Sequence, residues 1–237
     1  MDAQESQRVG PRPALVGAAA VVVLVAAITV LVGVRAIGSD ATPCERFAAD
    51  SRTRASIVAG QGDRVVVIGD SWSAGLGLDE IEQSWPSRLT GRVEVAGFSG
   101  SGFSAHASGC GRAVSFAERA SGALGSGIGS DLVVVEGGLN DVDQPDEAIR
   151  RGVARLLDRL RGHRVVIVGP ASAPARGSGV TRVDELLARL AASHQVPYVR
   201  TMDLDLSYLP DGLHLTPSGH QDFGDYVAAQ LATRGIS

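Results

Sequence analysis

Four polar residues of this 237-residue chain have the types and spacing that nucleophilic chemistry on a carbonyl group requires. Ser71 lies in GDSWSAG, Asn140 in GGLND, and Asp211 and His214 in DGLH. A serine hydroxyl attacks a carbonyl carbon only when a base within hydrogen-bond reach removes its proton, and an imidazole can be that base. In a tight turn the carboxylate of Asp211 can hold the imidazole Nδ1–H of His214, while the amide of Asn140 can donate to the oxyanion that forms.

Each of these residues also has a purely structural interpretation. Ser71 could cap the helix that begins after it, and Asn140, the only asparagine in the chain, could satisfy a turn. Asp211 and His214 could form a loop salt bridge, or could bind a metal ion together with His220. No further acidic or histidine cluster in the sequence completes a metal site, so we expect neither a metal nor an organic cofactor. The presence of all four residues in one chain favours catalysis over four unrelated structural roles.

The predicted secondary structure indicates how these residues could meet. Near-continuous apolar runs, typical of strands buried on both faces of a sheet, occur at 64–68, 92–95, 131–135, 164–168 and 196–200. Amphipathic helices are predicted at 113–120, 145–163, 183–194 and 216–231. This alternation predicts an α/β fold, a three-layer α/β/α sandwich around a five-stranded parallel sheet. Ligands of such sheets bind beyond the carboxyl ends of the strands, where all four polar residues lie.

The segment 97–129 interrupts the alternation, because nine of its thirty-three residues are glycine. Glycine lets the backbone approach a ligand closely, so we expect ligand-contacting loops and one helix here. The first strand is not followed by G-x-G-x-x-G, and a dinucleotide site is therefore not expected.

Four sequence blocks, in the order GDSW, a glycine after the second strand, GxND and DxxH, resemble those of the SGNH hydrolase (GDSL esterase/lipase) family. The resemblance covers about residues 63–235. It implies a flavodoxin-like sheet with strand order 2-1-3-4-5 and an enzyme that hydrolyses esters. It also implies that Ser71 is the nucleophile, His214 the base and Asp211 the partner that orients the base.

The same resemblance implies an oxyanion hole. Its donors would be the backbone N–H groups of Ser71 and Gly100 and the side-chain amide of Asn140, with Gly102 as an alternative to Gly100 in FSGSG. Trp72 departs from the family pattern, because the family name has leucine at that place. Four aromatic residues near strand ends could line an acyl pocket or belong to the core: Trp72, Phe98, Phe103 and Tyr208.

The composition excludes several other classes of function. All 22 basic residues are arginine, so a phosphate-binding GxxxxGK[ST] loop, a lysine Schiff base and a Ser-Lys dyad are ruled out. A net charge of -4 and an aromatic content of 4% do not favour binding to nucleic acid.

The amino-terminal part of the sequence predicts a membrane anchor. Residues 14–34 are twenty-one residues without a charge, enough for a helix to cross a bilayer. We expect a cytoplasmic tail at 1–13, a single transmembrane helix at 14–34, a stalk at 35–62 that packs on the domain, and the hydrolase domain at 63–237 outside the cytoplasm. The alternative is a secreted protein whose signal peptide has been cleaved.

The two cysteines, Cys44 and Cys110, favour a disulfide, which an exported domain would keep oxidised. Two unrelated buried thiols are the alternative. Without CxxC or HxxxH spacing, the pair does not suggest a zinc site.

The sequence as a whole predicts a membrane-anchored serine esterase that forms an acyl-enzyme intermediate. Short loops favour a shallow site for small acyl groups, carried by a small molecule or by a glycan or lipid of the cell envelope. Acyl transfer to a glycan hydroxyl is an alternative within the same chemistry. An inactive binding module at the cell surface is the alternative outside it.

Overall fold

A six-stranded sheet forms the centre of the protein, and the computed structural model describes residues 41–125 and 132–236. In chain order the strands are β1 (Val58–Ala59), β2 (Arg64–Gly69), β3 (Arg92–Gly97), β4 (Leu132–Glu136), β5 (Arg164–Val168) and β6 (Tyr198–Val199). Their order across the sheet is β1-β3-β2-β4-β5-β6. The five predicted strands are therefore all present, in the order that the family resemblance implies.

One edge of the sheet corrects the expectation of five strands that are all parallel. β1 pairs antiparallel with β3, with Val58 opposite Glu94 and Ala59 opposite Val93, whereas the other neighbouring strands are parallel. The sheet is therefore mixed and has six strands. β1 has only two residues, too few to show the side-chain alternation by which a strand is recognised in sequence.

Six α-helices accompany the sheet within the described residues: α1 (Pro43–Ala55), α2 (Ser71–Ala74), α3 (Phe116–Leu124), α4 (Asp146–Arg159), α5 (Gly179–Ser193) and α6 (Pro217–Thr233). At the start of α6 the hydroxyl of the N-cap Thr216 accepts a hydrogen bond from the N–H of Gly219 at 3.1 Å, and Pro217 is the first residue of the helix. Short 3-10 helices lie at Ile81–Gln83, Trp85–Arg88, Arg112–Val114, Leu139–Asp141 and Pro174–Arg176.

Hydrophobic cores cover both faces of the sheet. Val65 and Val67 of β2 face one core, and Val66 and Ile68 of the same strand face the other. Residues of α6 fill the first core, and residues of α3, α4 and α5 fill the second. The helices thus lie on both sides of the sheet, and the fold has the three layers that the alternation of elements predicts.

The segment before β2 contacts the rest of the domain at several points. Cys44 in α1 forms a disulfide with Cys110, with an S–S distance of 2.05 Å, which confirms the predicted pairing. The ring of Phe47 packs edge-on against Phe98, with ring centroids 6.4 Å apart. The guanidinium of Arg54 is buried and donates to the hydroxyl of Ser84 at 3.2 Å.

No helix within residues 41–125 and 132–236 has both the length and the apolar character needed to cross a bilayer. Residues 14–34, where the anchor is predicted, lie outside the described residues.

Candidate active site

Ser71 lies at the junction between β2 and α2, where the chain leaves the carboxyl end of the strand. The helix N-cap is Asp70, whose Oδ1 accepts the N–H of Trp72 at 3.0 Å. Ser71 is therefore the first residue of the helix rather than its cap. A β-carbon on Gly97 would lie 2.6 Å from the backbone nitrogen of Ala74, so the close approach of β3 to α2 requires glycine.

Asp211 and His214 contact each other directly in the loop before α6. The Nδ1 atom of His214 lies 2.6 Å from Oδ2 of Asp211. The other carboxylate oxygen of Asp211 accepts the backbone N–H groups of Leu213 and His214, both at 2.9 Å. Because Oδ1 already accepts the two backbone donors, the carboxylate is held in one orientation and presents Oδ2 to the imidazole.

These hydrogen bonds also decide the charge of the carboxylate. Partial burial by itself raises the pKa of Asp211, but the hydrogen bond from the His214 side chain and those from the N–H groups of His214 and Leu213 outweigh it and lower the pKa to about 2. Asp211 is consequently ionised at neutral pH. The Asp211 side chain is 48% exposed and that of His214 is 17% exposed, so one end of the pair faces solvent while the imidazole is mostly enclosed.

A hydrogen bond joins the loop of His214 to the turn of Ser71. The indole Nε1–H of Trp72 donates to the backbone oxygen of Leu213 at 3.0 Å. The Trp72 ring also packs edge-on against Phe223 of α6 at 5.2 Å between ring centroids. Leucine at position 72 could fill space but could not donate this bond, so the departure from the family pattern has a structural role.

The four aromatic residues proposed for the acyl pocket are mostly in the interior. Trp72, Phe98 and Phe103 are buried. Tyr208 is half-buried, packs against Trp72 with centroids 6.2 Å apart and donates its hydroxyl to the backbone oxygen of Ser172 at 2.6 Å. The core interpretation therefore fits the first three residues, and Tyr208 alone combines partial exposure with proximity to Trp72.

Asn140 lies on the 3-10 helix Leu139–Asp141, directly after β4. Its Nδ2 group donates to Oδ2 of Asp70 at 3.2 Å and to the backbone oxygen of Ser101 at 2.9 Å. Its Oδ1 accepts a hydrogen bond from the guanidinium of Arg176 at 3.2 Å. The asparagine thus contacts the residue before Ser71 and the glycine-rich loop after β3, and it does more than satisfy its own turn.

Gly100 and Gly102, the two candidates for the second oxyanion donor, have different surroundings. Gly100 is half-buried and has φ +79°, a conformation that favours glycine. Gly102 is buried, and a β-carbon there would lie 2.5 Å from Oδ2 of Asp141. The tight packing at Gly102 explains why glycine is present there, which leaves Gly100 as the more accessible of the two.

Asp141 holds the glycine-rich loop in place. Its carboxylate accepts the backbone N–H of Phe103 at 2.9 Å and that of Ser104 at 2.7 Å. Burial raises the pKa of Asp141 to about 7, although both of these hydrogen bonds oppose the rise.

Sequence reasoning missed a group of ionisable side chains close to the turn that carries Ser71. Glu136, the last residue of β4, is buried and accepts a hydrogen bond from the hydroxyl of Ser73 at 2.7 Å.

Burial raises the pKa of Asp70 to about 6. The N–H of Trp72 and the charges of His214, Arg119 and Arg176 oppose this rise. The pKa of Glu136 is raised well above its ordinary value, first by burial and then by the charge of Asp70. A carboxylate that ends the all-apolar strand LVVVE was the one sequence signal for this group.

Arg119 of α3, which is half-buried, is the cation of this group. It donates to the backbone oxygen of Gly69 at 2.9 Å, to the hydroxyl of Ser101 at 3.0 Å and to the backbone oxygen of Ala96. The guanidinium thus joins the ends of β2 and β3 to the glycine-rich loop, which fixes the relative position of the segments around Ser71.

His220 does not form the metal site that the sequence left open as an alternative. His220 is buried, and its Nδ1 accepts the backbone N–H of Trp85 at 3.3 Å, so it is engaged inside the core and not with Asp211. No group of three or more His, Cys, Asp or Glu side chains among the described residues is placed to hold a metal ion. A cavity of about 760 Å³ lies where β5 and β6 begin, at the opposite end of the strands from Ser71.

Comparison with known proteins gives a family and several related folds. The model of the GDSL-like lipase/acylhydrolase family matches residues 67–221. A proposed arylesterase from Agrobacterium tumefaciens str. C58 is 26% identical, with a TM-score of 0.58 over 74% of this chain and 100% of that one. Est24, a carbohydrate acetylesterase from Sinorhizobium meliloti, is 20% identical, with a TM-score of 0.60 over 73% of this chain and 99% of that one. An aryl esterase from M. smegmatis is 19% identical, with a TM-score of 0.60 over the same shares of the two chains. No curated protein sequence matches the chain.

Proposed function

The chain belongs to the GDSL-like lipase/acylhydrolase family and is a carboxylic ester hydrolase, and on this basis we propose that it is a serine esterase with Ser71 as nucleophile. His214 is the general base and Asp211 its orienting partner. The observation that carries the proposal is the 2.6 Å contact between Nδ1 of His214 and Oδ2 of Asp211. It leaves Nε2 of the imidazole free of Asp211 and available to a hydroxyl.

The reaction proceeds through an acyl-enzyme intermediate. His214 takes the proton of the Ser71 hydroxyl as the oxygen attacks the ester carbonyl carbon, and the imidazolium then gives that proton to the departing alcohol. Water, activated by the same imidazole, then cleaves the acyl-enzyme and releases the acid. Because Asp211 is ionised at neutral pH, it stabilises the imidazolium that forms in each half of the reaction.

The oxyanion of each tetrahedral intermediate accepts hydrogen bonds from three donors: the backbone N–H of Ser71, the backbone N–H of Gly100 and the side-chain amide of Asn140. Both amide hydrogens of Asn140 already have acceptors, Asp70 and the backbone oxygen of Ser101. The bond to Asp70 is the longer of the two, at 3.2 Å. We expect this hydrogen to turn from Asp70 to the oxyanion as negative charge develops on the substrate.

The substrates proposed are esters of short acyl groups on a glycan or lipid of the cell envelope. Two observations support this choice. Two of the related structures are described as an arylesterase and a carbohydrate acetylesterase. Three of the four aromatic residues proposed for the acyl pocket are buried and offer little surface to a long acyl chain. No metal or organic cofactor takes part in the proposed steps.

The proposed location is the outer side of the cell membrane, with residues 14–34 as a single-pass anchor. The apolar run in the sequence supports the anchor, and the Cys44–Cys110 disulfide supports an oxidising compartment for the domain. The location can be tested by fusing to the carboxyl terminus a reporter enzyme that is active only in the cytoplasm. Activity of that reporter would contradict the proposed location. Release of the mature protein into the medium would instead indicate a cleaved signal peptide.

The experiment that tests the function combines labelling with hydrolysis. A fluorophosphonate probe should label the full-length protein at Ser71, and p-nitrophenyl acetate should be hydrolysed faster than p-nitrophenyl laurate. Ser71→Ala should lose both the label and the activity, while Ser56→Ala, the same change at an exposed serine, should still be labelled. Absence of labelling and of hydrolysis in the wild-type protein would indicate a binding module. Release of less free acid when a sugar acceptor is added would indicate acyl transfer.

A further inference from the structure

Arg176 has an environment unlike that of the other arginines near the site. It ends the 3-10 helix Pro174–Arg176, is half-buried, and donates from Nη2 to Oδ1 of Asn140 at 3.2 Å. Among the described residues no carboxylate lies within salt-bridge distance of its guanidinium, and its Nε group is buried without a hydrogen-bond partner. Its single side-chain hydrogen bond within the described part of the chain is therefore the one to Asn140.

A guanidinium in such surroundings is costly, because partial removal from water is not compensated by a paired carboxylate. Arg119, which is also half-buried, shows the usual solution, since it donates to several backbone and hydroxyl oxygens at once. Arg182 pairs with Asp146 and two backbone oxygens. Arg176 has neither arrangement, so stability alone does not explain its position.

We propose that Arg176 is a positioning residue that fixes the orientation of the Asn140 amide and strengthens its N–H as an oxyanion donor. The inference rests on the proposed function of Asn140. A guanidinium can only donate, whereas the carboxylate of Asp70 can, when ionised, only accept. Oδ1 of the amide must therefore face Arg176, and Nδ2 must face Asp70 and the substrate side.

The charge of Arg176 adds to this orientation. A hydrogen bond from a cation to the amide oxygen draws electron density from the amide nitrogen, which makes the N–H on the far side a stronger donor. The positive charge of Arg176 also offsets part of the negative charge of Asp70. Without it, Asp70 would repel an oxyanion that forms beside Asn140. Both effects grow as charge develops on the substrate oxygen, so they favour the transition state over the bound ester.

The backbone around Arg176 ties it to the loop of the proposed base. The N–H of Ala175 donates to the backbone oxygen of Gly212 at 2.9 Å, and Gly212 lies between Asp211 and His214 in sequence. The loop after β5, which contains Arg176, is thus bonded to the loop after β4 through Asn140 and to the loop before α6 through Gly212. Arg176 can therefore fix the position of Asn140 relative to the loop of His214.

The first test separates the rate of the chemical step from substrate binding. In the full-length protein, Arg176→Met should lower kcat for p-nitrophenyl acetate by about 10- to 100-fold, less than direct loss of an oxyanion donor, with KM nearly unchanged. Arg176→Lys, which keeps a charged donor, should recover part of the lost kcat. Arg189→Met removes an exposed arginine of α5 that pairs with Glu185 at 3.6 Å, and it controls for the change in net charge.

The second test asks whether Arg176 acts through Asn140. If it does, Arg176→Met should have little further effect on kcat in a protein that already carries Asn140→Ala. An equal loss of kcat in both backgrounds, or a change confined to KM, would overturn the inference. If Arg176→Met does not fold by circular dichroism, Arg176→Gln, which keeps a neutral donor, replaces it in both tests.

These tests distinguish an error in the role of Arg176 from an error in the proposed function. A wild-type protein that is neither labelled at Ser71 nor active on p-nitrophenyl acetate disproves the esterase mechanism, whatever Arg176 does. A wild-type protein that is labelled and active, together with an Arg176→Met variant of unchanged kcat, disproves only the role of Arg176.

Discussion

Oδ2 of Asp70 accepts a hydrogen bond from Nδ2 of Asn140 at 3.2 Å, although the two residues are 70 positions apart in sequence. The same aspartate caps α2 through its other oxygen, which accepts the N–H of Trp72 at 3.0 Å. One buried carboxylate therefore sets both the start of the helix that carries Ser71 and the direction of the proposed oxyanion donor. From this arrangement we expect Asp70 to affect catalysis as well as the stability of the helix.

Asp70→Asn should separate these two roles. Asparagine is as good an N-cap as aspartate and carries no buried charge, so the free energy of unfolding at pH 7 should stay equal or increase. The introduced amide can turn an N–H group toward Nδ2 of Asn140, which then loses the acceptor that orients it. Because the oxyanion donor is no longer held in place, kcat for p-nitrophenyl acetate should fall by about 10- to 100-fold. Thermal unfolding and steady-state kinetics measure the two effects. Parallel losses of stability and activity would show that Asp70 is only a cap.

Asp211→Asn should slow the reaction while the fold is kept. The amide can still accept the N–H groups of Leu213 and His214, but a neutral partner no longer stabilises the imidazolium or fixes its tautomer. The expected loss of kcat is about 1,000- to 10,000-fold. Circular dichroism should be unchanged, because Asp211 is about half exposed. Asp205→Asn, in the same connection between β6 and α6, is the control and should retain activity.

The buried carboxyls predict how stability depends on pH. The folded-state pKa values of Asp70 (about 6) and Asp141 (about 7) lie above the ordinary value of 3.8, so the folded protein binds more protons than the unfolded chain between these values. The free energy of unfolding therefore falls as the pH rises from about 4 to about 7. His220 acts in the opposite direction, because burial, and then the charge of His214, lowers its pKa to about 4. With Glu136 also raised, the carboxyls outnumber the histidine.

The protein should therefore melt at a higher temperature at pH 5 than at pH 7.5, as measured by differential scanning fluorimetry in buffers of equal ionic strength. Asp141→Asn removes one of the titrating groups and should make this difference smaller. A melting temperature that rises steadily from pH 5 to pH 7.5 would contradict the prediction.

The Cys44–Cys110 disulfide should stabilise the domain by restricting its unfolded state. For residues separated by 66 positions, loss of the crosslink should lower the free energy of unfolding by about 2–4 kcal/mol. Urea unfolding of the Cys44→Ser, Cys110→Ser double variant measures this loss. Dithiothreitol should reduce the stability of the wild type to that of the double variant and leave the double variant unchanged. A wild type insensitive to dithiothreitol, with the bond shown to be reduced, would argue against the prediction.

The sequence by itself determined most of the elements and the residues to which we assign the chemistry. Strands β2, β4 and β5 are near-continuous apolar runs, β3 alternates polar and apolar residues in RVEV, and α6 shows its cap and apolar spacing directly. These patterns are visible in sequence because they depend only on residues that are close neighbours in the chain. The Asp211–His214 contact was predictable for the same reason, since three positions separate the residues and one turn joins them.

Only the tertiary structure decided which distant residues support that chemistry. β1 is too short to be recognised and exists as a strand only because β3 offers it a free edge. The bonds from Arg176 to Asn140 and from Trp72 to Leu213 join residues 36 and 141 positions apart. In the sequence, Arg176 is one arginine among 22 basic residues. Its role depends on where packing of the sheet and helices brings three loops together, and no local pattern contains that information.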